Sequence, residues 1–255
     1  MKVTHWKSIR LLALSAAMVV GMAGAASAQD AGAGEIDDPY MGFNRAVFSF
    51  NDAADQAVLR PIAKGYRYIV PQGGRTGVRN VIHNLRAPVN LINDLLQGDL
   101  DAAGTTVTRT IINTLVGVGG IFDVAASEGI PYREEDFGQT MGVWGVGHGP
   151  YMIIPLLGPS SMRDSAGMLA DSLMDPLNWY LHNTDNDGWI IGRFVVTSIS
   201  RREELLDALD DLRRNSFDYY AAMKSAYVQN RAAAVANANT TEYNGVGSSG
   251  PADHP

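Results

Sequence analysis

Apolar residues recur at helical spacing along most of the chain. In the segment 40–58, Phe43, Val47 and Phe50 follow one another after four and three residues, which places them on one face of a helix. Asp38-Pro39 precedes this face as a capping residue and a proline at the first helical position. Comparable stripes predict helices over about 76–86, 88–100, 99–116 and 162–174, and two helical segments within 200–227.

Proline and glycine interrupt this pattern. Pro88 predicts the end of the helix before it, because a proline inside a helix removes a backbone hydrogen bond. Periodicity is lost over 130–159, where 151–157 is apolar enough for a short strand but Pro155 disfavours a central one. The run 188–199 fits a helix or a strand equally. The pattern predicts a mainly α-helical single domain with a long Gly/Pro-rich connector.

The two ends of the chain lack helical periodicity. Three basic residues precede an apolar run over 11–25, and Ala26-Ser27-Ala28 follows as a cleavage site, which is typical of an exported protein's signal peptide. A transmembrane anchor fits less well because the run is short. These features divide the chain into a signal peptide (1–28), a flexible lead-in (29–37), a helical domain (38–227) and a disordered tail (228–255).

The charge and the cysteine count exclude several classes of protein. Without the leader the chain has 17 basic residues against 27 acidic ones, a net charge of −10. This charge disfavours nucleic acid and simple attraction to anionic lipid headgroups. The absence of cysteine excludes disulfides, thiolate metal sites and a lipid-modified cysteine. The sequence also contains no second apolar run of about 20 residues, the length that spans a bilayer.

Motifs for catalysis and cofactor binding are missing. The stretches 117–122 and 145–150 begin like a dinucleotide-binding loop but lack its third glycine. The internal histidines lie far apart, so we expect no metal, no cofactor and no catalytic residue. His148 is the one candidate general base, beside the acidic run 134–136, although a loop histidine near solvated charges explains it more simply.

Two further patterns leave alternatives open. Arg109 and Asn113 lie one turn apart in an otherwise apolar helix. Arg109 either pairs with a carboxylate or a helix end, which we favour, or faces a polar passage. Phe43, Phe48 and Phe50 form an aromatic patch that fits core packing and a lipid-facing surface equally well.

A series of short motifs also runs in order through residues 38–227. They include Asp38-Pro39, Gly42-Phe43-Asn44-Arg45, Arg109, Asn113-Thr114, Phe137-Gly138-Gln139-Thr140, Gly145-Val146-Gly147, Gly149-Pro150-Tyr151 and Arg163-Asp164. Together they resemble the MlaA/VacJ family of outer-membrane phospholipid-trafficking proteins. One departure stands out, because many members carry a lipid-anchored cysteine and this chain has no cysteine.

The resemblance implies a ring of helices in the inner leaflet of the outer membrane, on its periplasmic side. Phospholipid misplaced in the outer leaflet would pass through an amphipathic channel to a soluble periplasmic carrier, which maintains lipid asymmetry. A trimeric porin would lie beside the ring. The alternatives are a periplasmic lipid hydrolase using His148, and a porin-binding scaffold that transports nothing.

The same resemblance and the two open patterns suggest residues of the lipid passage. The segment 142–164 combines glycine-rich irregular backbone with an apolar run, and we expect it to border the passage and to flex. The candidates are Phe43, Asn44, Phe50, Arg109, Asn113, Gly145, Gly147, Gly149 and Tyr151.

Overall fold

The computed structural model describes residues 36–236, which form helices joined by short connections and one β-hairpin. The predicted signal peptide and the predicted lead-in up to residue 35 lie outside the described residues. A π-helical turn, Asp55–Leu59, joins the first two helices. The elements are α1 (Met41–Ala54), α2 (Arg60–Ile69), α3 (Gln72–Gln97), α4 (Leu100–Leu115), α5 (Val124–Ser127), α6 (Phe137–Val143), β1 (Tyr151–Ile154), β2 (Gly158–Ser161), α7 (Met162–Met174), α8 (Pro176–Asn183), α9 (Asp187–Glu204), α10 (Leu206–Asn215) and α11 (Tyr219–Val235).

The expectation of a mainly α-helical single domain is confirmed. Helix α7 has the predicted bounds, and the Ser161 hydroxyl caps it by accepting from the Asp164 N–H at 3.1 Å. The ambiguous run 188–199 is helical and belongs to α9. In the connector, β1 and β2 pair antiparallel from Tyr151↔Ser161 to Ile154↔Gly158, and Pro155 falls in the turn between them.

The predicted helix end at Pro88 is wrong. Helix α3 runs through Pro88, so the helices expected over 76–86 and 88–100 are one helix. Pro88 itself is exposed, whereas its neighbours Ala87, Val89 and Asn90 are buried. Packing of the flanking turns outweighs the cost of about 3 kcal/mol that a proline imposes on a helix interior.

Two domain boundaries also need correction. Helix α11 continues to Val235, so the segment 228–235 is helical, and 237–255 lie outside the described residues. At the other end, Ile36 and Asp37 of the lead-in are packed. Ile36 is buried, and the carbonyl of Asp37 accepts from the Tyr151 N–H at 2.8 Å.

The helices turn their apolar faces outward and their polar faces inward. On α4, Leu115 is 77% exposed, whereas Arg109 is only 6% exposed. On α7, Leu169 is 70% exposed, whereas Arg163 and Asp164 are buried. In a water-soluble protein an apolar stripe marks the core face of a helix. Here the stripes were located correctly, but they form the outer surface.

The apolar core is correspondingly small. It consists of Ile36, Tyr151, Ile153 and Tyr220, with four partly buried neighbours. Phe48 joins it through ring contacts with Tyr219 and Tyr220, at centroid distances of 5.2 and 5.5 Å. Most of the buried side chains in the described range are instead polar or charged. Within that range, no helix has both the length and the apolar character needed to cross a bilayer.

Candidate functional site: a charged cavity

Helices α3, α7, α8, α9 and α11, with the segment 132–139, surround a cavity of about 810 Å³. A volume of this size is in the range that holds a drug-sized ligand. Six arginines and eight carboxylates line it, together with Ile82, Val89, Met168, Ile190 and Phe194. The cavity therefore offers polar partners for a charged group beside apolar surface.

Arg231 of α11 ties three elements together at the cavity wall. Its guanidinium donates to Asp136 at 2.7 and 2.9 Å and to Asp164 at 2.8 and 3.0 Å. Asp136 is the N-terminal cap of α6, and Asp164 lies in the first turn of α7. Burial opposes ionisation of both carboxyls, but hydrogen bonds and charge from Arg231 outweigh it and hold their pKa values below the ordinary range.

Two glycines make this convergence possible. A methyl group on Gly167 of α7 would lie 2.4 Å from the backbone nitrogen of Gly138 in α6. A methyl group on Gly138 would lie 2.7 Å from an Asp164 carboxylate oxygen and 2.8 Å from an Arg231 nitrogen. The helices α6 and α7 can approach closely enough to share Arg231 only because both positions lack a side chain.

One face of α3 forms another part of the cavity wall. Arg79, His83 and Arg86 lie along it, and Arg86 Nε is 3.4 Å from a Glu134 oxygen. The His83 ring stacks on Tyr132 with centroids 4.1 Å apart. Burial lowers the pKa of His83, with a smaller lowering contribution from Arg109, so its ring is neutral at pH 7. The positive charge on this wall therefore comes from arginine.

Two carboxyls at the cavity, the half-buried Asp171 and the buried Glu135, have pKa values raised toward neutral pH. Asp171 accepts from the Asn93 amide at 3.0 Å and from the Phe137 N–H at 3.1 Å, and burial raises its pKa to about 6. Glu135 accepts from the Gln97 amide at 2.9 Å, and burial raises its pKa to about 7. The charge of the cavity therefore changes between about pH 5 and 8.

None of the nine residues predicted for the passage is among those that line this cavity. Arg109 and Asn113 lie beside a smaller neighbouring pocket. Arg109 donates to both carboxylate oxygens of Asp123, at 2.8 and 2.7 Å, and Asn113 donates to the same carboxylate at 2.9 Å. Arg109 thus makes the carboxylate contact that the structural alternative requires.

Asn44 and Tyr151 are brought together. The Asn44 amide donates to the Tyr151 carbonyl at 3.0 Å, and its oxygen accepts from the Ile153 N–H at 3.1 Å. The two residues join α1 to the β-hairpin. Phe43 and Phe50, on the same helix, lie on the outer surface and are 66% and 56% exposed. Their exposure favours the lipid-facing alternative over core packing.

The remaining candidates lie in the loop before β1. Gly145 and Gly149 have φ values of 86° and 65°, which favour glycine, and Gly147 has open space around it.

The His148 Nδ1 in this loop is buried without a hydrogen-bond partner. Burial and the charge of Arg163 lower the His148 pKa. The alternative in which His148 acts beside the acidic run 134–136 finds no contact among the described residues. Glu134 lies beside Arg86, and Asp136 lies beside Arg231. The role of the nine candidates in lipid passage stays a prediction.

Sequence reasoning missed the residues that do line the cavity. Arg79, His83 and Arg86 recur at spacings of four and three, a polar stripe that helical periodicity could have found. Asp171 interrupts the apolar pattern of α7 in the same way. Arg231 could not be found, because it lies in the segment predicted as a disordered tail.

Comparisons with known proteins agree with this geometry. A family profile described as "MlaA lipoprotein" matches residues 36–234. The chain is 35% identical over 222 residues to the Intermembrane phospholipid transport system lipoprotein MlaA of Escherichia coli (strain K12), covering 86% of this chain and 84% of that protein. The Shigella flexneri protein of the same name is 36% identical over the same shares. A protein of Rickettsia felis is 37% identical over 79% of each chain.

A solved structure is also similar. It comes from work on the structural basis for maintenance of bacterial outer membrane lipid asymmetry, and it aligns with a TM-score of 0.67 at 36% identity. The alignment covers 78% of this chain and 99% of the solved one. At this identity the agreement extends from the sequence to the arrangement of helices.

Proposed function

Because this chain belongs to the MlaA lipoprotein family, we propose that it is an intermembrane phospholipid transport protein rather than an enzyme. It removes mislocalised phospholipid from the outer leaflet of the outer membrane and thereby maintains lipid asymmetry. The headgroup travels through the cavity between α3 and α7. The named relatives and the solved neighbour support this assignment.

The observation that carries the proposal is the reversed placement of polar and apolar side chains. A headgroup can move through a membrane only along a polar path, because an unpaired charge in hydrocarbon is expensive. The cavity supplies that path with arginines and carboxylates. Exposed side chains on the outer surface, such as Leu115 and Leu169, supply the apolar contact with surrounding lipid.

We propose that the apolar outer surface also holds the protein at the periplasmic side of the outer membrane. The relatives are lipoproteins by name, but this chain has no cysteine to carry a thioether-linked lipid. A trimeric porin and a soluble periplasmic carrier complete the proposed pathway. Both partners rest on the family resemblance.

The loop that contains Gly145, Gly147 and Gly149 is proposed to let the hairpin adjust as lipid passes. The other candidates, Phe43, Asn44, Phe50, Arg109, Asn113 and Tyr151, then act from around the cavity: Asn44 holds the hairpin, and Arg109 holds α4 to the segment that follows it.

Deletion of the gene tests the function in cells. We expect phospholipid to accumulate in the outer leaflet, measured by labelling of surface-accessible aminophospholipid, and the wild-type gene to reverse the effect. Mass spectrometry of the detergent-extracted protein should detect bound phospholipid. Unchanged surface phospholipid in the deletion strain would contradict transport, and capture of porin without lipid would favour the scaffold alternative.

A further inference from the structure

Buried hydrogen-bond donors collect at one corner of the cavity. The Tyr66 hydroxyl, Arg75 Nε and the Ser200 hydroxyl are buried there without a hydrogen-bond partner. Such atoms are uncommon in proteins because each costs the desolvation of a polar group. We call this region the arginine corner, and its residues are Tyr66, Arg67, Arg75, Arg79, Ser200 and Glu203.

The arginine corner holds more positive than negative charge. Arg67, Arg75 and Arg79 all contact the single carboxylate of Glu203, which is nearly fully buried. Two further acids lie nearby: Glu204 follows Glu203 and also lines the cavity, and Asp207 contacts Arg67 and is exposed to solvent. The Glu203 carboxylate is shared among three guanidinium groups, and Arg75 Nε has no acceptor, so the corner can take up a further anion.

The corner opens into the cavity. Arg79 and Ser200 are among the cavity-lining residues. Arg75 lies one turn before Arg79 on α3, and Glu203 lies one turn after Ser200 on α9. Helix α3 begins here with no acidic residue in its first turn, so its dipole adds to the positive potential. Burial and the Glu203 charge raise the pKa of Tyr66, which keeps its hydroxyl protonated.

We propose that the arginine corner is an anion subsite that binds the phosphate of a phospholipid headgroup inside the cavity. A phosphate offers several acceptor oxygens to donors from different directions, and arginine is well suited to such groups. The proposal rests on the proposed transport function and adds to it the residues that hold the headgroup.

Binding by the purified full chain in detergent tests the subsite. The probes are dihexanoyl phosphatidylglycerol, dihexanoylglycerol, which has the same acyl chains without phosphate, and inorganic phosphate. Isothermal titration calorimetry compares the wild type with Arg79→Gln, Glu203→Gln and the control Arg214→Gln. Arg214 contacts Asp211 on the outer surface, away from the cavity lining.

We expect the wild type to bind the phospholipid more tightly than dihexanoylglycerol. Loss of one charge-assisted contact in Arg79→Gln should raise the Kd roughly tenfold. Glu203→Gln removes the competing carboxylate and should lower the Kd, while Arg214→Gln should leave it unchanged. General damage to the fold would weaken binding in both corner variants, so the opposite signs identify the subsite even if Arg79→Gln folds poorly.

The remaining outcomes are distinguishable. If the wild type binds phospholipid tightly and neither Arg79→Gln nor Glu203→Gln changes the Kd, the subsite is wrong and the transport function is unaffected. Equal binding of dihexanoylglycerol would likewise remove the role of phosphate. If only inorganic phosphate binds in an Arg79-dependent manner, the anion is a free one and the lipid part of the proposal is wrong. If neither phosphate-containing probe binds, the subsite and the proposed function both fail.

Discussion

Arg231 provides the sharpest test of the buried ionic network. Its guanidinium donates four hydrogen bonds to Asp136 and Asp164, and all three side chains are largely buried. Arg231→Met keeps much of the side-chain length but leaves two carboxylates without their shared partner. Breaking a buried pair by removing one member costs about 3–5 kcal/mol. Because about 1 kcal/mol shifts the melting temperature by roughly 2–4 °C in a chain of this size, a loss on the order of 10 °C is expected.

The difference in melting temperature between the wild type and Arg231→Met should depend on pH. In the wild type both carboxyls have lowered pKa values, so they stabilise the fold above their unfolded pKa, and this contribution is lost as pH falls through the folded pKa. In Arg231→Met the lowering contribution of Arg231 is lost, while Arg163 still pairs with Asp164 and Gln139 still donates to Asp136. Both pKa values therefore rise, and acidification relieves part of the penalty. The difference in melting temperature should therefore be largest at pH 7.5 and smaller at pH 4.5, measured by circular dichroism in detergent.

Arg214→Met is the matched control, since the Arg214–Asp211 pair is exposed and should change the melting temperature little. A melting temperature of Arg231→Met within 2 °C of the wild type at pH 7.5 would refute the reasoning. A difference that grows on acidification would refute it as well, because it would mean that the two carboxyls carry no penalty in the variant.

Three further predictions follow from packing, exposure and titration. Gly167→Ala places a methyl group 2.4 Å from the Gly138 nitrogen and should lower the free energy of unfolding by about 1–3 kcal/mol. Gly104→Ala, in open space on α4, is the control and should be neutral or stabilising. Equal melting temperatures of the two variants would contradict the close approach of α6 and α7. Leu115→Asp puts a charge on the outer surface at a cost of about 2.5–3.5 kcal/mol if that position lies in hydrocarbon, so the folded protein should shift from the membrane to the soluble fraction, and unchanged fractionation would argue against lipid contact there. Asp171→Asn keeps an oxygen that can accept from Asn93 and Phe137. Since the Asp171 pKa is raised to about 6, the wild type loses stability as pH rises from about 4 through 6; the variant should melt higher at pH 7.5 and not at pH 4, and a constant gap would count against the titration.

The positions of most helices can be predicted from the sequence alone. The stripes of α4 and α7 were found at their correct positions because a period of 3.6 residues is a property of neighbouring residues alone. The short motifs that resemble the family could also be recognised from the sequence, because each consists of a few neighbouring residues. Local rules were wrong at Pro88, where contacts from other elements outweigh the intrinsic cost of a proline.

The sequence by itself determined where the helices lie and that each has an apolar and a polar face. Only the tertiary structure decided which face points inward. The spacing of Leu115 and Arg109 places them on different faces of α4, and it would be the same in a helix of a water-soluble protein. Helical periodicity gives the angle between two faces but does not say whether each face contacts protein, water or lipid. The convergence of Arg231 on Asp136 and Asp164 likewise joins residues up to 95 positions apart. Contacts over that distance depend on how the helices pack, and here two glycines and a buried charge network hold the polar faces around the cavity.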